Sequence, residues 1–322
     1  MVRTTVVVLN WNGKDLLEEC LGSLRAQTDR DFEVMVVDNG STDGSVEFVR
    51  TRFPEARVLA LSENHGFAKG NNFGMREVSS ERIALLNNDT RTDPKWLEEL
   101  NRALDAHPEV GFCASKILNY FEPDVIDTAG DEIGVAMGLK RGHGEKDGPQ
   151  FSVARYVFGA CAGAAIYRKR MLDQIGLFDE SFVTNFEDVD LSFRAQLAGW
   201  RCFFVPTAII YHKVGETKRR ANWKQLPSYR NSKVTWLKNA PLPLLAKYMP
   251  ELFKNEAIKL LVSAGIHKRY LEKPDFEKVF MLLLADWQVI TRLPSTVRER
   301  WRIQRQRVVS ADYIESLMSF PP

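Results

Sequence analysis

The sequence predicts an α/β fold: a mostly parallel sheet flanked by helices, continued by a helical C-terminal extension. Three observations predict it. Strand and helix patterns alternate over the first 110 residues. Polar clusters follow three of the apolar strand runs, where ligands collect at the carboxyl edge of a parallel sheet. Charge is also divided along the chain. The 322 residues sum to +2, yet residues 213–322 hold 21 Lys and Arg against 10 Asp and Glu, and residues 1–212 hold 23 against 32. That split predicts an acidic α/β domain over 1–222 and a basic helical region over 223–322.

The elements follow in order. Residues 4–9 are a β-branched run suited to a strand buried on both faces. Residues 14–26 have helical spacing, with Leu17, Leu21 and Leu24 on one face. Residues 32–37 read as the second strand and 45–53 as the second helix, with Ser41, Thr42 and Asp43 as capping candidates. A strand at 58–61, a helix at 67–78 and a strand at 82–86 come next. Asp93-Pro94 then opens a helix over 95–106, with Pro at an early position where it is tolerated. Residues 111–155 read as less regular, with a polar Gly-rich loop at 138–149. Residues 158–167 are small and apolar, 179–199 hold an acidic cluster and a helix, and 201–205 and 208–211 look like two short strands. From about Trp223 the chain is helical, basic and aromatic.

Composition excludes several classes. With 44% apolar and 27% charged residues, the chain can build a core and is not of a disordered type. Cys20, Cys113, Cys161 and Cys202 are scattered singly, which argues for buried thiols and against a zinc ribbon or disulfide framework. The first apolar run is strand-sized and lacks a cleavage site, and the apolar stretch at 279–290 is too short to span a bilayer. The expected location is the cytoplasm, extending to the inner face of the membrane if the basic region meets lipid.

Four groups could carry chemistry. Asn87-Asn88-Asp89 leaves a strand end; its oxygens suit Mg²⁺ or Mn²⁺, although Asn and Asp also form ordinary turns. Glu187, Asp188 and Asp190 lie in the first turn of a helix, where acids are stabilised by the dipole and Asp190 can pair with Arg194. Three acids in four residues exceed what capping needs, and crowding raises their pKa values toward those of a general base. His212 closes a strand. Asn64 to Asn72 has two glycines and an Asn pair that permit close backbone approach, without a dinucleotide or P-loop pattern.

Taken together these residues resemble a known family. Val7-Val8-Leu9-Asn10-Trp11-Asn12, Val37-Asp38-Asn39-Gly40-Ser41, Asn64-x-Gly66-Phe67-x-x-Gly70-Asn71-Asn72, Leu86-Asn87-Asn88-Asp89, Gly176-x-Phe178-Asp179-Glu180 and Glu187-Asp188-x-Asp190-Leu191-x-x-Arg194 occur in that order. The chain resembles the family 2 inverting glycosyltransferases of GT-A fold, especially their bacterial rhamnosyltransferase-like branch, over roughly residues 4–215. The resemblance implies a nucleotide-sugar donor, such as dTDP-rhamnose or a UDP-sugar, and a glycan or lipid-linked acceptor. It implies that Asp38 meets the base, that Asn10 and Trp11 line the nucleoside pocket, and that Asn64, Phe67 and Asn71 complete the base and ribose site. Asn87 and Asp89 take the family's D-x-D position, with Asp89 on the metal, and His212 matches a histidine that helps bind metal or diphosphate. Asp188 matches the catalytic base, and Gly159 to Gly163, with Glu187, falls in the sugar or acceptor pocket. One departure is Asn87 in place of the first Asp, which leaves one carboxylate for the divalent metal. The resemblance implies weak metal binding until the nucleotide diphosphate completes the coordination.

Two other readings compete. A nucleotidyltransferase also uses a strand-end acid and a metal, but Asn10-Trp11-Asn12-Gly13 lacks its Gly-rich basic loop. A non-catalytic nucleotide- or carbohydrate-binding module would have no need of Asp89, Asp188 and His212 together. The basic region, with Lys218-Arg219-Arg220 and Arg298 to Arg307, suits peripheral membrane contact, plain packing or a homodimer; no motif supports nucleic acid.

Overall fold

The computed structural model describes residues 2–214, 226–266 and 274–319. Lys218, Arg219 and Arg220 lie outside them. Four parallel strands form the first half of the sheet: β1 (Thr4–Asn10), β2 (Phe32–Asp38), β3 (Arg57–Ala60) and β4 (Arg82–Asn87). Their connections are α1 (Lys14–Arg25), α2 (Ser45–Arg52) and α3 (Gly66–Arg76). After β4 come a short β5 (Thr90–Thr92) and α4 (Trp96–Ala106). Val6, Val7 and Val8 are fully buried, because helices cover both faces of β1.

The second half is built from β6 (Val110–Asn119), β7 (Ile126–Thr128), β10 (Arg155–Val157), β11 (Ala164–Arg168) and β12 (Arg201–His212). A separate hairpin comprises β8 (Asp131–Gly134) and β9 (Met137–Lys140). The large sheet runs β10-β12-β6-β11-β4-β1-β2-β3, with β5 on β12 and β7 on β6. The sheet is mostly parallel: β6 and β12 run parallel to each other, and β11 is the antiparallel strand between β4 and β6.

Several sequence expectations need correction. The segment 111–155, which reads as less regular, is rich in strand. It contains β6, a ten-residue central strand buried except at Asn119. Its small and polar members Gly111, Ala114, Ser115 and Lys116 hide the strand pattern, and buried Lys116 is answered by Asp147 at 2.9 Å. The two short strands expected at 201–205 and 208–211 are one strand, β12, with an irregularity between Val205 and Ile209 around Pro206. Asp43 does accept the Ser45 amide at 3.0 Å, but Gly44, in left-handed backbone, is the residue that caps α2. The helix expected over 95–106 is α4, with Lys95 as its cap and Pro94 in the turn that opens it.

The remaining helices are α5 (Lys169–Ile175), α6 (Glu187–Leu197), α7 (Leu226–Asn239), α8 (Leu242–Ser263), α9 (Phe276–Gln306) and α10 (Ala311–Ser316). Phe193 of α6 and Trp236 of α7 share one apolar cluster, so the C-terminal helices pack directly behind the acidic helix. Lys238 of α7 is buried and reaches Asp179 at 2.7 Å and Asp190 at 2.8 Å. Removing its charge while keeping its bulk, Lys238→Met, leaves buried acid uncompensated. It is expected to lower unfolding free energy by about 3 kcal/mol or more, read by urea denaturation.

Candidate active site

The carboxyl ends of β1, β2 and β4 meet at one polar patch. Asn10, at the end of β1, donates to Asp38 at the end of β2 (3.1 Å) and accepts from Asn88 (2.7 Å). The Ser41 amide donates to the other Asp38 oxygen at 2.9 Å. The parallel register that pairs Asn10 with Asp38 puts these side chains together. Asn39 extends the network: it donates to Asn64 (2.9 Å) and to the Gly66 carbonyl (3.1 Å) and accepts the His65 amide. Asn71 donates back to the Phe67 carbonyl at 3.0 Å, and the Phe67 ring lies 6.3 Å from that of Phe178. Trp11 is half-buried just past β1. The patch thus gathers Asn10, Asp38, Asn64 and Asn71 near strand ends, with Asn39, Ser41 and Asn88 as linkers.

A second group forms where β5 pairs with β12. That pairing sets His212 opposite Thr90 and so beside Asp89. Asn87 sits one turn earlier, its backbone held by Gly163 and Thr90. His212 has Asp89 at 3.4 Å from Nε2 and Asp127 at 2.8 Å from Nδ1. Burial alone would lower the imidazole pKa, but hydrogen bonds to Asp127 and Asp89 outweigh it and push it up to about 9. Asp127 is itself buried, and His212 and Lys140 hold its carboxyl far below the usual range.

These residues suit a divalent cation. Asp89 offers a hard oxygen and His212 a ring nitrogen, and Asp127 occupies the opposite nitrogen, as an orienting carboxylate does behind a metal-bound histidine. Among the described residues no three His, Cys, Asp or Glu converge as a complete ligand set. Diphosphate oxygens of a nucleotide substrate would suit further positions around such a cation.

The third group surrounds the start of α6. Asp188 accepts the Ala162 amide at 3.1 Å and the Val189 amide at 2.8 Å. Burial raises its pKa, against the pull of those amides. Glu187 is buried, and its Oε2 has no hydrogen-bond partner among the described residues; burial and the Asp188 charge drive its pKa well up. Asp131, at the start of β8, is buried too, and burial with Asp188 nearby pushes it to about 8. Its backbone pairs with Gly159 in both directions, and a Cβ on Gly159 would stand 2.6 Å from Ser192 Oγ, so only glycine lets this loop close on α6. Asp190 differs: it faces away, bound by Arg194 at 2.9 Å, Lys238 and Asn239, as an internal structural acid.

The approach to Asp188 is strained. Val183, Asn185 and Phe186 all have φ between 64° and 68°, a region costly for side chains other than glycine. Buried Asn231 of α7 stabilises the turn, donating to the carbonyls of Phe182, Thr184 and Asn185 at 2.8–3.1 Å. No local sequence pattern marks Asn231. Asp127, Asp131 and Lys140 were also missed, because they lie in the stretch that read as less regular; the acids of Asp127-x-x-x-Asp131 were the available hint.

The raised acids have a measurable consequence. Asp131 binds its proton more tightly folded than unfolded. Its contribution to stability is therefore complete below about pH 4 and is lost as pH rises toward 8. Wild type is expected to lose stability across that window, and Asp131→Asn to lose less, in denaturation curves at both ends.

The sequence pattern of glycosyl transferase family 2 matches residues 5–176, more than half of the chain. The chain belongs to this family. Asp188 and His212 lie past the matched segment. The chain is 29% identical over 254 residues to the O-antigen biosynthesis protein RfbC of Myxococcus xanthus, covering 71% of this chain but only 19% of that one. It is 26% identical over 243 residues to an N-acetylglucosaminyl-diphospho-decaprenol L-rhamnosyltransferase of Mycobacterium tuberculosis, covering 66% of this chain and 77% of that one. Among solved structures, GalNAc-T7 with UDP, GalNAc and Mn²⁺ superposes with a TM-score of 0.62 at 12% identity, covering 92% of this chain and 58% of that one. Staphylococcus aureus TarS residues 1–349 with UDP superposes at 0.55 and 17% identity, covering 98% and 90%. These likenesses place the family 2 chain in the GT-A fold.

Proposed function

We propose that the protein moves a sugar from a nucleotide-diphosphate donor, dTDP-rhamnose or a UDP-sugar, to a glycan or lipid-linked acceptor with inversion at the anomeric carbon. The observation that carries this reading is Asp188: a buried carboxylate, pinned by two backbone amides, whose pKa is raised. The named activity of the mycobacterial relative, a rhamnosyl transfer to a lipid diphosphate-linked sugar, supports the acceptor class.

In this mechanism the patch of Asn10, Asp38, Asn64, Phe67 and Asn71 holds the nucleoside. Asn87, Asp89 and His212 face the diphosphate. Mg²⁺ or Mn²⁺ held by Asp89 and His212 would offset the charge growing on the departing diphosphate. Asp188 takes the proton from the acceptor hydroxyl as it attacks the anomeric carbon from the side opposite the diphosphate. Asp131 lies close enough for the Asp188 charge, with burial, to push its carboxyl up to about 8. Glu187 and the Gly159 loop line the acceptor side, and the unmatched Glu187 oxygen offers a hydrogen bond to a sugar hydroxyl. Holding both substrates in line accounts for much of the rate.

The test measures nucleoside diphosphate release from dTDP-rhamnose and UDP-hexoses, with Mn²⁺ and a lipid diphosphate-linked N-acetylglucosamine. The expected result is acceptor-dependent release from one donor, with inverted anomeric configuration in the product. Nucleotide binding with no release from any pair would overturn the proposal in favour of a binding module.

A further inference from the structure

Helix α9 has two apolar faces. One carries Leu282, Ala285, Val289 and Ile303, all buried against the protein. The opposite one carries Phe276, Phe280, Leu283, Trp287, Ile290 and Trp301, each more than half exposed. Pro294 and Val297 fill the intervening steps, so the outer stripe repeats every three or four residues along 31 residues, about 46 Å of helix. Phe253 of α8 and Ile266 just after it are also exposed, at 69% and 68%. No helix among the described residues is long and apolar enough to cross a membrane. The stripe is therefore a surface feature.

We propose that this face docks on an anionic lipid surface. Two observations select lipid over a second copy of the chain. The stripe alternates Phe, Trp, Pro and Trp at every seventh position, Phe280, Trp287, Pro294 and Trp301. Bulky rings and a helix-breaking proline interlock poorly in a helix pair, whereas Trp and Phe suit the headgroup boundary. The rim is basic: Lys254, Arg298 and Arg305 are exposed beside the apolar residues, and Arg305 lies over the Trp301 ring. Cations at the edge of an apolar face complement anionic headgroups. The docking deepens the proposed function and rests on it for its purpose, since a lipid-linked acceptor is presented at such a surface. Its test reads binding and not transfer, so the two can fail separately.

The experiment is co-sedimentation of the full chain with phosphatidylcholine vesicles, with and without phosphatidylglycerol, at low and high salt. The protein is expected to sediment with the anionic vesicles, less so at high salt, with a blue shift in Trp fluorescence. Trp287→Ser with Trp301→Ser should abolish sedimentation, while the thermal melt and nucleoside diphosphate binding stay as in wild type. Arg298→Gln with Arg305→Gln should weaken binding to anionic vesicles about thirtyfold. Wild-type protein remaining in the supernatant would overturn the proposal. So would a dimer in sedimentation velocity that the Trp variant dissolves while vesicle binding is absent throughout.

Discussion

Asp188→Asn is expected to lower turnover by about a hundred- to ten-thousandfold and to leave nucleoside diphosphate binding unchanged. The side chain keeps its shape. One of its two backbone hydrogen bonds, to the Ala162 or Val189 amide, is lost, because the new amide group cannot accept. That cost is offset because a neutral amide replaces a buried carboxylate, whose desolvation is the main cause of the raised Asp188 pKa. The fold should therefore survive, and the loss should appear in kcat rather than in donor affinity. The comparison needs steady-state kinetics and calorimetric binding of the same nucleotide. Parallel loss of both would show that Asp188 holds the donor site together rather than serving as base.

Asp89→Ala is expected to have the second large effect, about a thousandfold in turnover, which corresponds to several kcal/mol of charge stabilisation at the diphosphate. Its signature is selective. Mn²⁺ should no longer strengthen nucleoside diphosphate binding, while the metal-free affinity, set by the Asn10–Asp38 patch, remains. The His212 pKa should also fall from about 9, because Asp89 is one of the two carboxylates that raise it. Calorimetric titration of nucleotide with and without Mn²⁺ reads the first effect, and NMR titration of His212 the second. Retained Mn²⁺ enhancement would place the metal elsewhere.

The first half of the sheet was legible because buried parallel strands carry β-branched runs and their polar ends follow at once. The strands β1, β2, β3 and β4 lie within one or two residues of their expected bounds. The placement of the candidate residues Asn10, Asp38 and Asp89 at or just past those ends was legible for the same reason. The strand β6 was not: a central strand next to an antiparallel neighbour tolerates Gly, Ala, Ser and even Lys116 when tertiary partners satisfy them. Asp127 and Asp131 were hidden with it, since their importance arises from long-range neighbours, His212 85 residues away and Asp188 further along the chain. The acidic run at 187–190 was legible as a cluster but not as a division of labour. Only packing shows that Asp190 turns toward Lys238 while Asp188 turns toward Ala162. Asn231 had no local signal at all, because its role is to satisfy carbonyls of a strained turn 46–49 residues earlier.

In the proposed mechanism the strand-end patch and the Asp89–His212 pair form one donor site for a metal-bound nucleoside diphosphate. The most direct test is a thermal-shift panel of UDP, dTDP, GDP and CDP, each with and without Mn²⁺. A nucleotide at a hundred times its dissociation constant should add about 2.7 kcal/mol to the folded state, a readily measured shift. The expected result is stabilisation by dTDP or UDP that grows when Mn²⁺ is present. No shift with any nucleotide, with or without metal, would contradict it.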